Sequence, residues 1–336
     1  MNRVAVLVER SKTQIHHREL PIPSNDEVLV KVESVGICGS DIHYYTEGHI
    51  GDRYVTYPHV QGHECAGTII QVGSLVTNFS VGDRVVLEPS IACGVCEYCK
   101  KGTYNLCEHV VFLSTPPHEG LFKEYVTHPS RWTYKLPDAV DFDVGTLVEP
   151  LAVALHAFKR GRVSPGAKVL ITGMGPIGMM LAVVSDYYNL DEVWGTDLNS
   201  RRLEIGMSIG LTHEINPQQE ELPSDYFDFV IDTTGVEFVL NQAIMTLKRG
   251  GKLISVGFAR GSGTSLNLTK MLQKEIDLLS VYRYANDYSL GIKVLEKKQK
   301  QLKKVIAKNY SLEEMNEAME FAADIQNCLG KVIITP

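Results

Sequence analysis

Three glycines restrict what this chain can fold into more than any other feature. Gly173, Gly175 and Gly178 have the spacing G-x-G-x-x-G, directly after the apolar run KVLIT and directly before PIGMMLAVVSDYY, which reads as a helix opened by Pro176 and Ile177. A strand, turn and helix joined this way need a tight turn, close packing of helix on strand, and a backbone bare enough for a pyrophosphate to reach the free amides of the helix N-terminus. Glycines that merely make a turn are the competing reading, which the flanking elements disfavour. Asp197 ends the next strand, EVWGTD. There a carboxylate can accept hydrogen bonds from both ribose hydroxyls and would repel a 2′-phosphate, which favours NAD over NADP. The alternative for Asp197 is a helix N-cap before NSRRLEIG. Arg202, close by, can stack on adenine or neutralise a phosphate.

The glycine loop sits inside a longer pattern. After Glu149-Pro150 a helical segment, LAVALHAFKRG, is followed by AKVLITGMGPIG, DEVWGTD, FDFVIDTTG, GKLISVGF and EIDLLSVYR. Apolar strands separated by helices describe a doubly wound parallel sheet. From Met1 to about Val148 the chain instead reads as short strands punctuated by Gly, Pro and Asp, as in EVLVKVESVGIC, HECAGTIIQVG and VGDRVVLEP, an irregular all-β pattern. The tail beyond Tyr284 holds two helices and a strand, too little for a core of its own, so it is expected to return to the first region. The expected class is α/β with two domains, residues 1–150 with 285–336 and residues 151–284. With 336 residues, 44% of them hydrophobic, the chain is long enough for two cores.

A net charge of -7 leaves no basic stripe for nucleic acid or an anionic lipid surface, so small molecules are the expected partners. MNRVAVLVER alternates like an opening strand and lacks a secretory pattern, and no apolar run approaches the ~18 residues of a membrane span. These absences lead us to expect a cytoplasmic protein. The lysines from Lys297 to Lys304 read as a solvated helix face.

Four of the seven cysteines, Cys93, Cys96, Cys99 and Cys107, crowd into one loop with Gly94 and Gly102. Four thiolates saturate a tetrahedral zinc, so this site is expected to be structural; an iron–sulfur cluster is the alternative. Cys38 and the pair His63-Glu64 each stand where a strand meets a glycine-rich turn. Thiolate, imidazole and carboxylate together suit a zinc ion that keeps a coordination position open. Alone, such a histidine and cysteine are more often structural residues.

GICGSDIHYY, GHECAG, VGDRVV, the four-cysteine loop, LVEPLAVALHA, GMGPIG and VYRYAND together resemble the zinc-containing medium-chain dehydrogenase/reductase family, over nearly the whole chain. Glu-Pro-Leu, HYY, FLSTPP and Arg283-Tyr284 are similar to its polyol branch, the sorbitol and xylitol dehydrogenases. The retained four-cysteine loop departs from the animal members of that branch. The resemblance implies a GroES-like catalytic domain beside a Rossmann domain, a catalytic and a structural zinc, and NAD. It implies that Cys38 and His63 bind the catalytic zinc, with Glu64 or Glu149 supplying the carboxylate, and that Ser40 and His43 relay a proton. It implies that Tyr44, Phe112, Thr115, Glu149, Arg283 and Tyr284 meet a small-molecule polyol, free or phosphorylated, and that the chain forms homodimers or homotetramers. A threonine or simple alcohol dehydrogenase, and a non-catalytic dinucleotide-binding protein, are the rival readings.

Overall fold

The computed structural model describes residues 1–258 and 263–336. They form two compact units: Met1–Glu149 with Tyr288–Gln299 and Ile306–Pro336, and Pro150–Asp287 with Lys300–Val305. The sequence led us to expect the whole tail beyond residue 285 in the first unit. Lys300–Val305 departs from this because Gln301 donates to Asp186 at 3.2 Å and Lys304 to the Ser208 carbonyl at 3.1 Å, both in the second unit.

The first unit is built on a seven-stranded sheet. Its central strand, Glu27–Gly36, pairs antiparallel with Glu64–Val72, Lys331–Thr335 and Tyr125–Pro129. The register places Gly36 opposite both Glu64 and Ile333. Strand EVLVKVESVG forms because its β-branched residues pack well on a pleated surface; Val28, Val30, Val32 and Val35 are all buried in one apolar cluster. That cluster also takes Met315, Ala318 and Met319 from the helix Met315–Ala323. These residues recur at three- and four-residue spacing, the helical way of presenting one face.

The second unit holds six parallel strands in the order His213–Ile215, Glu192–Thr196, Lys168–Thr172, Phe227–Asp232, Leu247–Ser255, Asp277–Ser280. The first of these, HEI, is absent from the apolar runs visible in the sequence, for two of its three residues are exposed and only Ile215 is buried. The strand order reverses beside Lys168–Thr172, which leads through the glycine loop into the helix Pro176–Tyr187. Crevices at such reversals are where doubly wound sheets take their ligands. Among the described residues, no helix is long and apolar enough to cross a membrane.

Candidate metal and dinucleotide sites

Cys38 caps the helix Gly39–Thr46, and its amide donates to the Asp41 carboxylate at 3.0 Å. His63 and Glu64 stand at the head of the strand Glu64–Val72, which the pairing of Gly36 with Glu64 sets beside the approach to Cys38. As a result one ligand atom from each of Cys38, His63 and Glu64 lies within 4.8 Å of the others. His63 is 4% and Glu64 0% exposed. Oε2 of Glu64 is buried without a hydrogen bond, a costly condition for a polar atom unless something charged meets it. A sulfur, an imidazole and a carboxylate in this arrangement fit a divalent zinc ion.

Behind His63 stands a residue that sequence reasoning missed. Asp41 is fully buried, 3.7 Å from Nδ1 of His63, and accepts hydrogen bonds from Ser114 Oγ at 2.8 Å and the Gly62 amide at 3.1 Å. Burial opposes charge on His63, but the carboxylate of Asp41 and then Cys38 outweigh it and raise the ring's pKa well above the ordinary imidazole range. The surroundings therefore favour a cation at this ring. Against desolvation, His63 most and then the Cys38 amide and Ser114 lower the pKa of Asp41 itself. The available signal was the aspartate of GSDIH, three residues past a candidate ligand and at the N3 position of its helix.

Glu149 lies in the first turn of the helix Val148–Gly161, 5% exposed. Of the two glutamates that sequence left open as ligands, Glu64 joins the cluster and Glu149 does not. An acidic residue in a first turn is already favoured by the helix dipole. Ser40 and His43 lie one turn apart on the helix Gly39–Thr46; Ser40 is half-buried and His43 is exposed, its Nδ1 2.9 Å from Glu47. Tyr44, on the same helix, is buried in the apolar cluster of the first unit. Phe112 is buried with its ring 5.5 Å from that of His63, and the Thr115 amide donates to the Phe112 carbonyl at 3.1 Å.

The second cluster is self-contained. Cys93, Cys96, Cys99 and Cys107 bring all four sulfurs within 4.8 Å of one another, with Cys93 3.9 Å from Cys99 and 3.6 Å from Cys107. Four sulfurs at ~2.3 Å from one zinc would stand ~3.8 Å apart, so the loop fits that ion. Gly94 and Gly102 take φ of 76° and 75°, the left-handed conformation that lets so short a loop close. The Val95 and Cys96 amides draw the Cys93 thiol down to about 6, while desolvation pushes Cys99 up to about 12. Neighbouring thiols cannot all ionise easily until a cation shares their charge. Tyr104, at the end of this lobe, donates to Glu88 at 2.6 Å, and Tyr134 donates to its other oxygen at 2.9 Å.

In the second unit Gly178 is a matter of space: a Cβ there would sit 2.0 Å from the Gly173 carbonyl. Gly175 caps the helix and Pro176 and Ile177 begin it. Asp197 accepts from the Met174 amide at 2.8 Å and from the Asn199 amide at 2.9 Å, and Arg202 is 4.0 Å from it. The N-cap of the following helix is Asn199, which accepts from the Arg201 amide, so Asp197 is not that cap. Sequence reasoning also missed Asp232, a buried carboxylate that accepts from Thr172, Thr234 and the Gly235 amide. It fixes the turn whose Thr233 bonds the Gly173 carbonyl at 3.0 Å. Arg283 and Tyr284 follow the last strand of this unit. The Arg283 guanidinium lies 4.8 Å over the Tyr282 ring, and Tyr284 is buried.

Comparison with known proteins agrees with this geometry. Residues 24–138 match the alcohol dehydrogenase GroES-like domain and residues 176–297 the zinc-binding dehydrogenase domain. The chain is 39% identical to a sorbitol dehydrogenase of Bacillus subtilis over 98% of its own length and 96% of the relative's. Among solved structures, an Escherichia coli dehydrogenase of unknown specificity superposes with a TM-score of 0.93 at 35% identity, covering 99% of both chains. The galactitol-1-phosphate dehydrogenase of Escherichia coli superposes with a TM-score of 0.90 at 26% identity, covering 99% of this chain and all of the other. With two of the family's domain models matched and a relative 39% identical over 98% of this chain, the chain belongs to the zinc-containing medium-chain dehydrogenase/reductase family.

Proposed function

We propose that the chain oxidises a secondary hydroxyl of a polyol to the corresponding ketose, with NAD as hydride acceptor and zinc held by Cys38, His63 and Glu64. One observation carries the reading: three donors of mixed softness converge within 4.8 Å, too few to saturate a tetrahedral ion. The match to sorbitol dehydrogenases supports the polyol as substrate, and Asp197 at the end of its strand supports NAD.

Zinc, when bound, acts as a Lewis acid that makes the substrate hydroxyl acidic enough to release its proton at neutral pH. Asp41 holds the His63 ring in place from behind, and Phe112 beside it keeps water away. Ser40 takes up the hydroxyl proton as it gives up its own, and the exposed ring of His43, one turn further on, accepts that proton and releases it to solvent. The hydrogen on that carbon would leave with its bonding electrons as hydride for the nicotinamide of a dinucleotide whose pyrophosphate the amides around Gly173, Gly175 and Gly178 would hold, and the carbonyl would form. Tyr44, Thr115 and Glu149 choose which of several hydroxyls reacts, and we keep Arg283 and Tyr284 in that role on the likeness to the polyol branch. On the same likeness we assign the enzyme to the cytoplasm as a homodimer or homotetramer.

The test is a panel of sorbitol, xylitol, galactitol, their phosphates, threonine and ethanol, each offered with NAD and with NADP while reduced coenzyme is followed. Turnover of a polyol or polyol phosphate with NAD is expected. Activity confined to threonine or ethanol would overturn the substrate class, and a preparation holding only the lobe's zinc would overturn the catalytic site.

A further inference from the structure

Glu64 reaches the metal cluster across a neighbouring strand. Strands Glu64–Val72, Glu27–Gly36 and Lys331–Thr335 lie side by side in that order, and Glu64 is the cross-strand partner of Gly36. A Cβ at Gly36 would sit 2.2 Å from Oε2 of Glu64, so the missing side chain opens the lane along which the glutamate extends. At its far end Oε1 accepts from the ammonium of Lys331, which also donates to the Ile37 carbonyl at 2.9 Å. Glu64 is 0% and Lys331 2% exposed. Oε2 is left buried and without a hydrogen bond.

We propose that Gly36 and Lys331 are positioning residues that confine Glu64 to ligation by one oxygen. The inference rests on Cys38, His63 and Glu64 being a zinc site. Carboxylates bind metals through one oxygen or two. Through two, Glu64 would join Cys38 and His63 in filling all the positions of a tetrahedral ion and would close the site to substrate. Lys331 engages one oxygen and leaves the other for the ion, so the position that a substrate hydroxyl needs stays open. Gly36 supplies the room, since any side chain there would push the carboxylate out of line.

The test uses the full-length enzyme with cobalt exchanged into this site while the four-cysteine lobe keeps its zinc. Lys331→Met is expected to weaken the visible cobalt bands, as a second carboxylate oxygen raises the coordination number, and to lower turnover with NADH binding unchanged. Lys331→Arg is expected to restore the wild-type spectrum. Gly36→Ala is expected to loosen the cobalt about tenfold to a hundredfold in chelator competition, the range typical of lost support behind a ligand. If Lys331→Met does not fold, Gly36→Ala decides. Unchanged bands in Lys331→Met, or unchanged affinity in Gly36→Ala, would overturn the positioning role while the zinc site stands. A wild-type chain that takes metal only in the lobe would remove the zinc site, and this inference with it.

Discussion

The four sulfurs of the lobe come from one short loop, Cys93 to Cys107, whereas Cys38, His63 and Glu64 come from a helix cap and a strand end joined only by pairing in the sheet. On the reading proposed above, the lobe's four sulfurs complete a zinc shell by themselves and need little around them. The open cluster has too few ligands to hold an ion rigidly, and its surroundings compensate: Asp41 behind His63, Ser114 and Gly62 on Asp41, Lys331 on Glu64. A closed site stabilises the fold, since metal binding there is folding energy. An open one depends on the fold for its shape and returns reactivity.

Each of the following substitutions presses on that contrast. Cys38→Ser should reduce turnover about a thousandfold or more, several kcal/mol of lost Lewis-acid assistance, while thermal unfolding and NADH binding stay near wild type. Unfolding of this variant would show the open cluster to be structural after all, and the contrast would be gone. Asp41→Asn should keep the ligands but weaken zinc retention at the open cluster about tenfold to a hundredfold, read by chelator competition, with the lobe's ion unaffected. Equal loss from both sites would break the comparison.

Cys96→Ser should lower the unfolding midpoint, by about 2–4 °C for each kcal/mol lost, and reduce the zinc content, while the chains that remain folded keep their turnover per bound catalytic ion. A midpoint and zinc content that do not move would remove the lobe assignment. The smallest effect is expected in the second unit. Asp197→Ala should narrow the preference for NAD over NADP by about tenfold, the worth of one charge-assisted hydrogen bond, and leave both metal sites as they were. A coenzyme ratio that does not change would show that Asp197 serves only the Met174 and Asn199 amides.

How readable each site was from sequence follows from how local it is. The lobe lies in one loop with its own glycines, so spacing alone exposed it, and the glycine loop was clear because the strand before it and the helix after it are contiguous. Asp41 and Asp232 were not recognised, because a buried carboxylate is meaningful only through the groups that converge on it from distant segments. The strand His213–Ile215 escaped notice because a three-residue edge strand buries one side chain and leaves no periodicity to see.

Sequence by itself determined the ligand types, the two-region pattern and the family, because donor chemistry, periodicity and turn residues are properties of short stretches of chain. Only the tertiary structure separates Glu64 from Glu149 in position. Both are acidic residues next to plausible motifs, but the pairing of Gly36 with Glu64 carries one carboxylate to Cys38 and His63 while a helix holds the other outside that group. That difference in position comes from strand register, which links residues remote in sequence and which no local pattern encodes.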